Sequence, residues 1–201
     1  MDAIKKEYLN TRTMVKVSIL GAFSFVLMLF EFPLWFAPAF LKVDFSDVPA
    51  MIGSFALGPF AGVLVQLIKN LLNLIIEGTE TAAVGELANF IVGSIFVYTA
   101  GAIYQKHKSF KTAIIGMITG TLLMTIGMSI ANYFVMIPLY AKIFGWPIED
   151  IVALGSAVNK YIVDFKTLIL FAVVPFNILK GIMVTLITTL LYKKVSPILK
   201  R

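Results

Sequence analysis

The chain has 201 residues, of which 59% are hydrophobic and only 14% are charged, against roughly 25% charged residues in an ordinary soluble domain. So few charges cannot cover the apolar surface of a soluble domain, which argues against a soluble enzyme, a disordered chain or a nucleic-acid-binding domain. Cysteine is absent and His107 is the single histidine, which excludes a disulfide framework, a thiol nucleophile and a multi-histidine metal site.

The remaining class is an all-α polytopic membrane protein, and six apolar stretches predict its membrane segments. They cover residues 14–36, 48–58, 59–76, 86–104, 112–140 and 167–192. With the N-terminus inside and six crossings, the cytoplasmic segments hold 11 of the 17 basic residues but only two of the 11 acidic ones. The cytoplasmic charges are then Lys5, Lys6, Arg12, Lys16, Lys106, Lys108, Lys111, Lys193, Lys194, Lys200 and Arg201, with Asp2 and Glu7.

This asymmetry is the positive-inside pattern. It predicts a single integral membrane domain over residues 1–201, a bundle of six transmembrane helices with both termini in the cytoplasm. The net charge of +6 is then a topology signal in a lipid bilayer, and we expect no nucleic-acid partner.

The first segment, residues 14–36, has the basic start and apolar run of a signal peptide, but it is long enough to span and we interpret it as a retained helix. Ser18 and Ala22 are four residues apart and share one face, which Gly21 widens. Small residues at this spacing let another helix approach closely. The partner helix belongs either to this protein or to another subunit.

Residues 37–48 predict a connection outside the membrane. Val43 and Phe45 alternate with polar residues, which is the period of an extended strand. The segment is unusually apolar for an exposed loop, so it either folds back over the bundle and covers a ligand, or lies at the membrane interface. In the second case Trp35, Phe36 and Phe40 are aromatic anchors.

Residues 48–58 are too few for a helix to cross about 30 Å of hydrocarbon. They form either a tilted or partial span that turns at Gly58-Pro59, or one long kinked helix with residues 59–76. The charge pattern requires the first choice. Within 59–76 and just beyond it, Lys69, Asn73 and Glu77 form one polar stripe, and Lys69 either snorkels outward or pairs within the bundle.

The fifth segment, 112–140, carries polar groups along one face. Gly116 and Gly120 predict a close packing face. Thr121, Thr125, Ser129 and Asn132 then share a face, and the hydroxyl groups can bond to carbonyl oxygens one turn earlier or to neighbouring helices. Asn132 is harder to satisfy alone in apolar surroundings. Residues 141–166 predict the longest loop.

The last segment, 167–192, contains Pro175, which predicts a kink or a helix start. Asn177 and Lys180 follow on one face. A lysine this deep in the membrane needs a partner or a polar cavity and is a candidate for a functional site. The alternative is a structural ion pair with Asp164 or another acid of an outer loop.

Four stretches of sequence carry a family resemblance: KVDFSDVPAMIGSFALGPFAGVLVQLIKNLLN (42–73), GELANFIVG (85–93), NYFVMIPLY (132–140) and PFNILKG (175–181). The chain resembles the substrate-binding S components of energy-coupling factor (ECF) vitamin transporters, and most closely their riboflavin-specific branch. This resemblance implies a six-helix bundle in the bacterial or archaeal cell membrane. Its expected partners are riboflavin, a transmembrane T component and two ATPase subunits.

The resemblance also assigns roles to residues. Asn132, Asn177 and Lys180 correspond to the ligand residues of the fifth and sixth helices, and residues 37–48 cover the flavin ring. Ser18 and Ala22 correspond to a pair of alanines that docks on the T component, with serine in the first place. The candidates for stacking on the ring are Trp35, Phe40, Phe45 and Trp146.

Three other functions compete with this interpretation. A membrane enzyme is disfavoured because the chain has no GxSxG or HExxH motif, and His107 lies in a basic loop. We therefore expect no catalytic residues, no metal and no cofactor. A stand-alone secondary transporter lacks support from an inverted repeat, and an S component for another vitamin stays open. No GxxxxGK[ST] motif is present, so energy must come from another chain or from a gradient.

Overall fold

The computed structural model describes residues 10–79 and 81–200, with side chains described as far as Tyr192. The helices in chain order are α1 (Thr11–Met28), α2 (Asp47–Leu57), α3 (Pro59–Ile76), α4 (Val84–Lys106), α5 (Phe110–Phe144), α6 (Ile148–Ser156) and α7 (Phe165–Leu168, Ile169–Val173 and Val174–Lys200). Outside the described residues and side chains lie these charges predicted to be cytoplasmic: Asp2, Lys5, Lys6, Glu7, Lys193, Lys194, Lys200 and Arg201.

Within the described part, five helices are long and apolar enough to cross a membrane: α1, α3, α4, α5 and α7. The predicted ranges 59–76, 86–104, 112–140 and 167–192 correspond to α3, α4, α5 and α7 within a few residues of most ends. The chain is therefore an all-α polytopic membrane protein. Six membrane crossings, a single domain and two cytoplasmic termini stay predictions.

The predicted first span, 14–36, was too long. Helix α1 ends at Met28, and the chain then forms a two-stranded hairpin in which β1 (Phe32–Pro33) pairs antiparallel with β2 (Lys42–Val43). Pro33 has no N–H and favours an extended residue before it, so a helix cannot continue here. The break was hidden because the residues around Pro33 are as apolar as those of the helix. The period-2 pattern near Val43 produced a strand, but only two residues long.

The second apolar segment is a separate short helix, as its length predicts. Helix α2 has 11 residues and ends at Leu57, and α3 begins at Pro59. Between them Gly58 has a φ of 109°, a conformation that side chains with a Cβ rarely adopt. A Cβ at Gly62 would lie 2.6 Å from Ser54 Cβ, so α2 and α3 pack back to back with almost no space between their backbones.

Helix α2 occupies the centre of the bundle. Every residue from Asp47 to Phe55 is buried, among α1, α3, α4 and α7. Ser54 Oγ donates to the carbonyl of Val97 in α4 at 2.6 Å, which satisfies the hydroxyl group inside an apolar core. A helix that is apolar on all sides is expected to be buried on all sides.

The Gly116 and Gly120 pair is a packing face, as predicted. A Cβ at Gly116 would lie 2.6 Å from the carbonyl oxygen of Ala100, and one at Gly120 would lie 2.8 Å from that of Phe96. Helices α4 and α5 therefore meet at backbone distance, and any larger residue at either glycine would force them apart.

The prediction of one long loop over 141–166 was wrong. Helix α5 continues to Phe144, where Gly145 ends it with a φ of 65°, and α6 follows after Pro147. Glu149 and Asp150 lie in the first turn of α6, where carboxylates interact favourably with the helix dipole. A nine-residue helix that follows a proline and contains Gly155 near its end gives a weak sequence signal, so its charges were interpreted as a loop.

Candidate functional site

A cavity of about 620 Å³ lies between the 29–42 connection and helices α3, α4, α5 and α7. Its volume is within the range of about 300–1,000 Å³ that is usual for small-molecule sites. The walls combine apolar side chains, among them several methionines, with a few polar groups. The polar and aromatic members are Glu31, Phe40, Lys42, Asn73, Glu77, Thr81, Glu86, Asn89, Asn132, Tyr140, Phe176, Asn177 and Lys180.

The structure brings Asn132, Asn177 and Lys180 together in this cavity, although they lie on two helices. The two asparagine amides are arranged alike. Asn132 Nδ2 donates to the carbonyl of Met128 at 2.9 Å, and Asn177 Nδ2 donates to that of Val173 at 2.8 Å. An amide has two N–H donors and an acceptor oxygen, so each keeps hydrogen-bonding capacity for a ligand in the cavity.

The three hydroxyl residues that precede Asn132 are satisfied inside α5. Thr121, Thr125 and Ser129 each donate to the carbonyl oxygen four residues earlier, at 2.7–2.8 Å. Of the two kinds of partner that the sequence left open, the structure shows the local carbonyl oxygens. They therefore need no ligand to complete them.

Asn132 begins one π-helical turn, and Asn177 lies four residues after the end of another; each turn precedes a proline. The turns are Asn132–Met136 before Pro138 and Ile169–Val173 before Pro175. A proline inside a helix removes the N–H that would bond to the carbonyl four residues earlier. In α7 that carbonyl belongs to Phe171, and Asn159 Nδ2 donates to it at 3.4 Å. The wider turns rotate the helices locally at the cavity wall, as is frequent at functional sites.

A cluster of buried charges lies beside the asparagines. Lys69 Nζ donates to Asp47 Oδ1 and to Ser46 Oγ, both at 2.6 Å. Gln66 Nε2 donates to the same Asp47 oxygen at 2.8 Å. Lys180 Nζ lies 3.2 Å from Asp47 Oδ2, and the side chains of all three ions are at most 4% exposed. One carboxylate thus faces two ammonium groups.

The cluster decides between the alternatives left open for the two lysines. Lys69 pairs within the bundle with Asp47 and does not snorkel outward. Lys180 both lines the cavity and pairs with Asp47, which lies at the end of the predicted 37–48 connection and in the first turn of α2. Sequence analysis did not single out Asp47 as that partner. Asp47 lies within residues 37–48, which the sequence predicts as a connection, so nothing in the sequence marked its carboxylate as a buried charge.

Asp164 has a different role. It accepts from the Thr167 backbone N–H at 2.7 Å and so caps the first turn of α7. Hydrogen bonds from the backbone and side chain of Thr167 hold the pKa of the Asp164 carboxyl below its ordinary value. The proposed pairing of Asp164 with Lys180 was therefore wrong, since its carboxylate is committed to the helix cap.

Of the four aromatic candidates for a stacking contact, Phe40 lines the cavity. Trp146 lines a separate apolar space of about 60 Å³. Phe40, Ile137 and Tyr140 line both this space and the main cavity. Trp35 is 86% exposed, and Phe45 packs against Phe32 with ring centroids 6.3 Å apart. Trp35 and Phe45 are not among the described residues that line the cavity.

Carboxylates surround the outer part of the cavity. Glu31 pairs with Lys42 at 2.6 Å across the hairpin. Glu86 Oε2 accepts from Thr81 Oγ1 at 2.8 Å and from Thr79 Oγ1 at 3.1 Å. The first bond ties the α3–α4 connection to the start of α4. Sequence analysis missed Glu31 and Glu86 because single carboxylates at the ends of apolar segments are common at membrane interfaces.

The fold and the site agree with a known family. The family model described as "ECF transporter, substrate-specific component" matches residues 12–192. The chain belongs to this family. The resemblance seen in the sequence is thus confirmed. The predictions that the protein belongs to a transport system and is not an enzyme are confirmed with it.

Individual relatives support the assignment over almost the whole length of this S component. It is 41% identical to the riboflavin transporter RibU of Staphylococcus aureus strain TCH60, covering 96% of this chain and 94% of that protein. It is 38% identical to the riboflavin transporter FmnP of Bacillus subtilis strain 168, covering 94% of each. A solved structure described as the S component of a bacterial ECF transporter shares 39% identity and a TM-score of 0.73, covering 94% of this chain and 98% of that one.

Ser18 and Ala22 lie on the outside of this S component. Both are exposed on α1, on a broad face that also carries Ile19 and Phe23. The opposite face packs inward, where a Cβ at Gly21 would lie 2.8 Å from Ile68 Cβ. The Ser18–Ala22 surface therefore does not serve packing within the described part of the chain.

Proposed function

We propose that this S component binds riboflavin in the 620 Å³ cavity and captures it from outside the cell. The observation that carries the proposal is the convergence of Asn132, Asn177, Lys180 and Phe40 on one cavity. Two relatives with about 40% identity are named riboflavin transporters. Asn132, Asn177 and Lys180, which the family resemblance assigned to the ligand, all line this cavity.

The chemistry of the walls suits a flavin. The isoalloxazine ring is flat, with apolar faces and hydrogen-bonding edges, and the apolar walls of Met128, Met136 and Phe176 can contact its faces. The ribityl chain carries hydroxyl groups that an amide or an ammonium group can bind. Each such hydrogen bond contributes about 0.5–1.5 kcal/mol net, and about 1.5–3 kcal/mol when one partner is charged.

The proposal extends to the partners and the membrane. The chain has no nucleotide-binding motif of the GxxxxGK[ST] type, so the energy for uptake comes from another chain or from a gradient. Following the family resemblance, we propose a T component with two ATPase subunits as its source. Docking uses the exposed Ser18–Ala22 face of α1. We place the protein in the cell membrane as a multi-pass bundle of six spans, counting α2 as the sixth, with both termini in the cytoplasm.

Two experiments test this function. Mass spectrometry of the protein purified from cells supplied with riboflavin is expected to detect the vitamin in the protein fraction. Uptake by cells that express only this chain should fail, and should be restored with a T component and ATPases. A different vitamin in the mass spectrum would contradict the ligand, and uptake without partners would favour a stand-alone transporter.

A further inference from the structure

Asp47 is the residue around which the buried charges are built. Its Oδ1 accepts two hydrogen bonds from α3, one from Lys69 at 2.6 Å and one from Gln66 at 2.8 Å. Its Oδ2 lies 3.2 Å from Lys180 Nζ on α7. Oδ1 therefore anchors the Asp47 side chain to α3, and Oδ2 faces Lys180, the lysine that lines the cavity.

The surroundings make this arrangement rigid. Asp47 lies in the first turn of α2, where the helix dipole favours a negative charge. Ser46 accepts from Lys69 through Oγ, and its backbone N–H donates to Asp44 Oδ1 at 2.6 Å. Lys69 is thus fixed at two points and holds Asp47 from the side away from the cavity.

The charge balance leaves Lys180 as the group that can serve a ligand. The two ammonium groups and the one carboxylate that joins them carry a net charge of +1 inside the bundle. An ammonium group has three donors. Asp47 engages Lys180 on one side, and the cavity lies on another, so the remaining donors can reach an electron-rich ligand atom.

We propose that Asp47, itself not among the cavity-lining residues, is a positioning residue for ligand recognition that holds the Lys180 ammonium at the cavity wall. Lys69 and Gln66 support Asp47 in turn. The proposal rests on the proposed function, because Lys180 is taken to contact the flavin. It adds that the affinity contributed by Lys180 depends on a carboxylate in the first turn of α2.

A double-mutant cycle tests this role, with flavin affinity measured on the purified full chain. Asp47→Asn is expected to weaken binding about ten-fold when Lys180 is present, and less than about two-fold in a Lys180→Met background. Such dependence identifies an effect that passes through Lys180. A merely structural role would lower affinity by the same factor in both backgrounds, and that result would overturn the proposal.

A second variant separates position from charge. Asp47→Asn combined with Lys69→Met keeps the cluster at a net charge of +1 but removes the contact to Lys180. Its affinity is expected to stay as low as that of Asp47→Asn. Recovery of wild-type affinity would show that net charge alone matters and would contradict positioning. If Asp47→Asn alone fails to give monodisperse protein, this charge-balanced variant replaces it in the double-mutant cycle with Lys180→Met.

A conservative variant completes the test. Asp47→Glu keeps the charge and moves the carboxylate by one methylene group, so affinity is expected to fall by an intermediate factor and only while Lys180 is present. An equal loss in the Lys180→Met background would count against the proposal. A wild-type chain that fails to bind flavin would contradict the proposed function, whereas wild-type binding with independent losses contradicts only the role of Asp47.

Discussion

Asn132 and Asn177 solve the same problem at two places in the membrane. A polar side chain in apolar surroundings must find partners, and each amide uses one N–H on the carbonyl oxygen one turn earlier. The rest of the amide faces the cavity. This divides each side chain between a structural bond, which fixes its orientation, and groups that can recognise a ligand.

We predict that Asn132→Leu and Asn177→Leu each weaken flavin binding by about 1–3 kcal/mol, because a ligand group loses its hydrogen-bonding partner. The matched control is Thr125→Val, which removes a hydroxyl group that bonds to Thr121 O within α5. Isothermal titration of the three purified variants measures the effect. Equal losses in all three would mean that the asparagines act through helix structure and not through the ligand.

Lys180 offers a second test at the scale of one residue. Lys180→Met is expected to weaken flavin binding while the melting temperature of the ligand-free protein holds or rises. The reason is that Asp47 keeps Lys69 as its partner at 2.6 Å, so no buried carboxylate is stranded, and a membrane-embedded charge that is costly to bury disappears.

The control for Lys180→Met is Lys69→Met, which leaves Lys180 and the cavity wall in place. Affinity should fall less in Lys69→Met than in Lys180→Met, because Gln66 still bonds to Asp47. Unchanged affinity with a lower melting temperature in Lys180→Met would refute the ligand role and leave only the ion pair.

The sequence identified Asn132, Asn177 and Lys180 because polar groups deep in apolar helices are rare and cost free energy to bury. The family resemblance then assigned them to a ligand. It did not identify Asp47 as the partner of Lys180. The two residues are far apart in the chain, and their contact depends on how α2 packs against α7. Of the four aromatic candidates for stacking, Phe40 lines the cavity. The sequence could not separate it from the others, because an aromatic side chain at the surface and one in a cavity look alike in a sequence.

The boundaries of α3 followed from the sequence, because its apolar run begins at a Gly-Pro pair and ends before a charged residue. Helix α3 starts at Pro59 and ends at Ile76, as predicted from Gly58-Pro59 and the polar stripe. Helix α1 ended early because a proline hairpin was as apolar as the helix before it. The π-helical turns could not be predicted, since a proline indicates a distortion but not the register that absorbs it.

The exposed face of α1 leads to a prediction at the scale of the element. Ser18→Leu or Ala22→Leu is expected to abolish vitamin uptake with the partner complex and to leave flavin binding by the isolated chain unchanged. A bulky side chain would hold a partner helix away from the small-residue groove. Ile19→Leu is the matched control, because Ile19 is exposed on the same helix and the change adds no bulk.

Uptake assays in cells and flavin titrations of the same purified variants separate the two effects. Uptake that persists in both Ser18→Leu and Ala22→Leu would exclude this face as the docking surface. Loss of flavin binding in either variant would instead show that α1 shapes the cavity.

The whole molecule combines a stable apolar bundle with one polar region. The core of the bundle, around α2 and between α4 and α5, is closely packed through small residues and apolar side chains. The membrane-embedded residues Asn132, Asn177 and Lys180 meet at the cavity, beside the buried ion pair of Lys69 and Asp47. Composition and charge asymmetry were sufficient to predict the membrane class and the helical bundle, because both depend on totals along the chain. The cavity depends on how several segments that are distant in the chain pack together, and composition and charge counts contain no information about that packing.

The central claim is that the isolated chain binds a flavin in this cavity without ATP. Titration of the purified, detergent-solubilised protein with riboflavin, followed by quenching of flavin fluorescence, tests it most directly. We expect one site per chain and a dissociation constant of about 1 μM or tighter, with weaker binding by Lys180→Met. Absence of quenching by monodisperse, folded wild-type protein would contradict the account.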